Sequence, residues 1–174
     1  LRASELQGYR LDNREERLLT MLFADDTTVY LRDDDSFETL TRILDEWCVA
    51  ARARFNVSKT NVIPIGTPEY RQEVANTRKL NPHSAQIPDG ISITPDKKSV
   101  RILGARVGND ITADAPWLPV LETIQRNFDL WEQCHPTIFG RKMIIEMEVG
   151  GRTQYLAKVQ GMPKHIEQQL VKMM

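Results

Sequence analysis

The sequence predicts an α+β fold, an antiparallel hairpin with helices over residues 1–110 followed by an all-helical segment over 111–174. Three observations predict it. Two short apolar runs rich in β-branched and aromatic residues, 18–24 and 27–31, flank the polar break Asp25-Asp26, the pattern of a hairpin. Extended character recurs only as far as Val107, and beyond Asp114 the apolar residues follow a helical period. Strands grouped ahead of helices fit α+β rather than an alternating parallel sheet.

The elements follow in order. After the hairpin, Asp35 can cap a helix, with Glu38 three residues on as in a capping box. Its apolar face is Phe37, Leu40, Ile43, Leu44, Trp47 and Cys48, and it should end near Ala53-Arg54. Residues 55–65 return to extended character. Thr67-Pro68 opens a second helix, with proline at its favoured first position, reaching Leu80. A loop with Pro82, Pro88 and Asp89-Gly90 leads to a second hairpin, Ile91-Ser92-Ile93 against 100–107 across Pro95-Asp96-Lys97-Lys98. Asp114 and Pro116 start a third helix with the face Trp117, Val120, Leu121, Ile124, Phe128 and Trp131. Helix resumes after His135-Pro136, runs to Gly150-Gly151, continues through Tyr155 and breaks at Gly161-Met162-Pro163 before a last helix. Trp47, Trp117 and Trp131 are expected in the core.

Composition narrows the class. Hydrophobic residues make up 41% of the chain, enough to build a core. No apolar run of about 18 residues spans a membrane, and the start lacks a signal-peptide core. Cys48 and Cys134 have neither metal-ligand spacing nor a disulfide framework, so they read as free thiols of an intracellular protein. His83, His135 and His165 share no ligand spacing. The net charge of −1 argues against a uniformly basic nucleic-acid binder. Its distribution is uneven: residues 1–46 hold twelve acids against six arginines, and residues 137–174 hold six bases against three acids. The opening on Leu1 and the stop at Met174 inside an amphipathic pattern read as the cut ends of a fragment.

The chemistry centres on Asp25 and Asp26. Two adjacent carboxylates at a buried strand end repel and lose hydration, and a divalent cation relieves that cost. Oxygen-only donors of this kind suit Mg2+, which binds through one or two carboxylates and completes its shell with water and phosphates. A solvated polar turn is the plain alternative.

Phe23-Ala24-Asp25-Asp26-Thr27-Thr28-Val29-Tyr30 resembles the aromatic-x-Asp-Asp motif of reverse transcriptases, most closely the form in LINE-type (non-LTR) retrotransposons. Phe55-Asn56-Val57-Ser58-Lys59-Thr60 is similar to the family's next palm motif, and Ile102-Leu103-Gly104 to its Leu-Gly primer-gripping motif. Trp131 with Gly140-Arg141, and the stretch from Tyr155 to Pro163, resemble the start of the thumb; Leu1-Arg2-Ala3-Ser4 with Gly8-Tyr9 resembles the run after the nucleotide-lining helix. The resemblance covers nearly the whole chain in the family's order.

The resemblance implies a partial polymerase palm over 1–110, a truncated thumb-like segment over 111–174, and two-metal nucleotidyl transfer with two Mg2+ ions. It makes Asp25 the principal metal ligand, Asp26 a weaker one, and Lys59 a general acid toward the leaving pyrophosphate. Leu103 and Gly104 would approach the primer. Arg141 and Lys142, with Arg152 and Lys158, read first as a mixed-charge helix face, with contact to the nucleic-acid backbone as the alternative. The implied partners are an RNA or DNA template with a DNA primer, deoxynucleoside triphosphates, and an upstream part of the same polyprotein that carries the third aspartate and the fingers. Asp12 does not supply that aspartate, because Arg10-Leu11-Asp12-Asn13 reads as a small hairpin turn. The isolated chain is therefore expected to be inactive. Two other readings compete: a degenerate retroelement remnant with at most non-catalytic nucleic-acid binding, and a response-regulator receiver. The receiver demands a parallel sheet around its Asp-Asp pair, which two directly consecutive strands disfavour.

Overall fold

The computed structural model describes residue 1, residues 3–10 and residues 17–174; the turn expected at Asp12 lies outside them. The fold is mixed α and β, with helices and small antiparallel hairpins. The chain divides into two compact units, Leu1–Pro95 and Asp96–Met174, so the residues 100–107 fall in the second unit.

In the first unit, β1 (Tyr9–Arg10) pairs antiparallel with β2 (Arg17–Leu18), and β3 (Thr20–Phe23) with β4 (Asp26–Val29). Leu6 and Leu19 meet Leu40 of α1 (Phe37–Ala51) in a core flanked by Val29, Leu31, Phe37, Ile43 and Leu44. The helix is capped by Ser36, whose hydroxyl accepts from the Thr39 N–H, and not by Asp35. Asp35 turns inward. Its buried carboxylate accepts from the backbone N–H groups of Gln7 (2.6 Å), Gly8 (2.9 Å) and Arg32 (2.8 Å), tying the N-terminal segment to the turn before α1. Gly8 has φ +63, and a Cβ there would lie 2.6 Å from the Leu18 carbonyl oxygen, so no larger residue fits this latch.

A 3-10 turn (Val57–Lys59) and β5 (Asn61–Val62) follow. Thr67 caps α2 (Pro68–Thr77), which stops at Arg78 in the left-handed region, three residues short of Leu80. Arg78 explains that stop. Its guanidinium donates to the carbonyls of Ile87, Pro88 and Ile91, clamping the loop against the helix end. The loop delivers β6 (Ser92–Ile93) to a parallel pairing with β5, Asn61 opposite Ser92 and Val62 opposite Ile93. This corrects the expected second hairpin, because Ile91-Ser92-Ile93 completes a strand-helix-strand crossover instead.

In the second unit, β7 (Val100–Ile102) and β8 (Ala105–Val107) form a hairpin between themselves. It is followed by α3 (Leu118–Glu132), α4 (Ile138–Ile145), a π-helical turn (Glu146–Gly150), α5 (Gly151–Gln160) and α6 (Lys164–Met173). Trp117 is fully buried among Leu121, Ile124, Leu156, Ile166 and Leu170, and its indole N–H donates to the Gly161 carbonyl at 3.1 Å. Trp117 stands at the position just before α3, without a side-chain capping bond, rather than within the helix. Trp47 and Trp131, expected in the core, are exposed instead.

Gly150-Gly151 does not break the helix. The chain widens there into the π turn, which turns Glu148 inward. Asn127 of α3 donates to its carboxylate at 2.7 Å, and Arg152 of α5 at 2.7 Å. Those two contacts, Asn127 first, hold the Glu148 carboxyl below the ordinary glutamate range. A depressed folded-state value means that this stabilisation is complete above the unfolded glutamate pKa, about 4.3, and is lost as pH falls through the folded value. Thermal melts between about pH 5 and pH 3 should therefore show a steeper loss of Tm in the native chain than in Glu148→Gln. Equal slopes would show that Glu148 carries no such linkage.

Candidate functional site

Asp25 and Asp26 sit at the free end of the β3–β4 hairpin. Phe23 pairs with Asp26, leaving Ala24-Asp25 as a two-residue loop. The positive φ falls on Ala24 (51°) and not on Asp25, as in a type II′ turn, where glycine is the usual first residue. Sequence periodicity places this corner among core residues, but the structure leaves it in solvent. Leu22 is 70% and Phe23 64% exposed, and both aspartates are exposed. The hairpin meets its core through Leu19 and Val29, at the end opposite this turn, so among the described residues no packed layer buries Leu22 and Phe23. The desolvation expected of a buried Asp-Asp corner is not incurred here. Among the described residues, neither carboxylate makes a side-chain hydrogen bond or ion pair, so both present free oxygens. Two carboxylates are a donor set that fits Mg2+ as a partial shell. Among the described residues, no group of three or more His, Cys, Asp or Glu side chains is arranged to hold a metal ion.

Lys59 ends the 3-10 turn and is exposed. Its neighbours in the motif explain one another. The Asn56 side-chain oxygen accepts from the Lys59 N–H (3.3 Å) and the Ser58 hydroxyl (2.7 Å), while the Thr60 hydroxyl donates to the Asn56 carbonyl (3.0 Å). Asparagine and threonine thus shape the turn that holds the lysine. No described hydrogen bond or ion pair joins Lys59 to Asp25 or Asp26.

Leu103 and Gly104, read from sequence as part of a strand, form the turn of the β7–β8 hairpin. Both have positive φ, 48° and 86°, the pattern of a type I′ turn. The turn is docked on α5: the Tyr155 hydroxyl donates to the Leu103 carbonyl, and a Cβ on Gly104 would lie 3.0 Å from the Tyr155 ring. Gln160 adds two bonds to the Arg106 backbone, accepting from its N–H (2.9 Å) and donating to its carbonyl (2.8 Å). Sequence reasoning missed Tyr155 and Gln160 as partners of this turn; the Leu-Gly pair itself, a good I′ sequence at its second position, was the available signal. Gly104→Ala should destabilise the second unit by about 1–3 kcal/mol through the forced φ and the ring contact, measurable in urea unfolding.

Arg141 and Lys142 lie on α4, whose first turn is capped by the Thr137 hydroxyl. Lys142 pairs with Glu146 at 3.7 Å and Arg152 with Glu148, the behaviour of a mixed-charge face. Arg141 has no ion pair among the described residues. Asp25, Asp26 and Lys59 belong to the first unit, and Leu103, Gly104, Arg141 and Lys142 to the second. No helix among the described residues is long and apolar enough to cross a membrane. Both cysteines are free.

Comparison with protein-family models, with curated proteins and with solved structures finds no match to this chain.

Proposed function

We propose that this chain is the palm and the start of the thumb of an RNA-directed DNA polymerase of the LINE type, an enzyme that extends a DNA primer along an RNA or DNA template. The observation that carries the reading is the Asp25-Asp26 pair at a hairpin end with both carboxylates unpartnered, followed in order by the Lys59 turn and the Leu103-Gly104 turn. Asp25 and Asp26 would hold Mg2+, which when bound lowers the barrier to phosphoryl transfer by neutralising charge on the triphosphate and activating the primer hydroxyl. The chain's own residues then divide the remaining work. Asp25 and Asp26 supply two of the carboxylate ligands, and Lys59 Nζ is the proton donor to the leaving pyrophosphate. The Leu103-Gly104 turn, held by Tyr155, contacts the primer backbone.

Two carboxylates without a third make a weak site, so the 174-residue chain alone should incorporate no nucleotide in a Mg2+-dependent primer-extension assay. A chain lengthened by the coding sequence upstream in its reading frame should extend the primer, and Asp25→Asn should reduce that extension by at least about a hundredfold. A lengthened chain that folds yet extends no primer would leave the non-catalytic remnant as the better account.

A further inference from the structure

A second surface in the first unit has a chemistry of its own. Residues 47–68 carry three cations, Arg52, Arg54 and Lys59, and no acid, just after the acids Asp45 and Glu46. The α1 helix ends at Arg52 in the left-handed region (φ 52°), where the chain reverses. That reversal brings Phe55 back onto Trp47, their ring centroids 5.6 Å apart and tilted by 37°. Neither ring is buried by the contact: Trp47 remains 52% and Phe55 36% exposed. Arg52, Arg54 and Lys59 are exposed and, among the described residues, make no side-chain hydrogen bond or ion pair. Of the acids close by, Glu46 pairs with Arg42 at 2.8 Å, and Asp89, next to the Gly90 that lies against Val57, pairs with Arg78 at 3.4 Å; Asp45, two residues before Trp47, makes no ion pair among the described residues.

Two partly exposed aromatic rings in contact, with unpaired guanidinium groups close in sequence, are the composition of a single-strand platform. Bases stack on the rings whatever their identity, and the cations follow the phosphates. Arginine also stacks on bases through its planar face. An acidic peptide would use the cations but not the ring faces.

We propose that Trp47, Phe55, Arg52 and Arg54 form a binding site for single-stranded nucleic acid. The site requires neither a metal nor a primer end, so it stands or falls independently of the polymerase reading.

The test is fluorescence anisotropy of a labelled twelve-residue oligothymidylate titrated with the full 174-residue chain at low salt, in EDTA. Binding should be saturable. Phe55→Leu should weaken it roughly five- to hundredfold, the range for losing one stacked base. Arg54→Ala, on an exposed side chain that folding does not need, should lower the slope of log affinity against log salt by about 0.7, one phosphate contact. Several results would overturn the proposal. One is no binding tighter than about 100 μM, the weak limit of non-specific association. Another is binding indifferent to both substitutions. The third is oligothymidylate displaced equally well by polyglutamate or by anionic phosphatidylserine vesicles, which would mark a general polyanion surface.

Discussion

Asp35→Ala should destabilise the first unit by about 3–5 kcal/mol. The change removes a buried charged acceptor and strands three backbone donors, those of Gln7, Gly8 and Arg32. A hydrogen bond to a charged group contributes roughly 1.5–3 kcal/mol, and each unsatisfied buried N–H adds its own desolvation penalty. Water entering the vacated space offsets part of that sum, which keeps the expected total below the simple addition. Asp35→Asn keeps one acceptor oxygen and turns an NH2 group toward the remaining donors, so its loss should be smaller than that of Ala but still clear. Urea unfolding followed by circular dichroism measures both. Hydrogen exchange at Gln7 and Gly8 adds a local readout, with protection at these amides expected to collapse before that of α1. If the Ala variant lost less than about 0.5 kcal/mol, the level of an ordinary surface change, the latch would be dispensable.

Trp117→Ala should cost the second unit about 3–5 kcal/mol, the usual range for emptying a buried aromatic site. Trp117 has no exposed surface and touches a cluster drawn from α3, α5 and α6, so no single element can close the gap by shifting alone. The indole bond to Gly161 is lost as well, at the bend between α5 and α6. Asp96–Met174 is a small unit, and a core of that size supplies only a few kcal/mol of net stability. The expected outcome is therefore loss of cooperative unfolding and of amide protection in residues 118–173. Trp117→Phe keeps most of the volume and loses the hydrogen bond, and should retain the transition at a lower Tm. A cooperative Trp117→Ala transition with an unchanged midpoint would show that the core lies elsewhere.

How far the site could be read in advance depended on the range of the interactions involved. The Asp-Asp hairpin was legible because a two-residue polar break between β-rich runs is a local signal. So is the helix after it, except that Ser36 and not Asp35 caps it. Asp35 and Ser36 are both good caps by type, and only the N-terminal segment, docking from 27 residues away, decides that Asp35 faces inward. The Leu103-Gly104 pair reads from sequence as part of a strand and is a turn in the structure, because periodicity does not tell a strand interior from a two-residue I′ turn. Ile91-Ser92-Ile93 reads as a strand facing residues 100–107, whereas Ser92 and Ile93 pair with Asn61 and Val62. Short strands carry too few side chains to specify register, and the Arg78 clamp on the loop determines where that strand arrives.

The sequence by itself determined that strands end near Val107 with only helices beyond, and which residues stand at the two turns that carry candidate chemistry. Those features depend on neighbours within a few positions, through turn residues, caps and hydrophobic period. Tertiary structure alone decided burial: which tryptophan of three became core, and that Glu148 would be turned inward by a π turn onto Asn127 and Arg152. It also decided that the Asp25-Asp26 corner stands in solvent. An apolar residue is buried only when another element arrives to cover it. Phe23 has the side chain for a core, but the hairpin is covered at its Leu19 and Val29 end and Phe23 stands at the other.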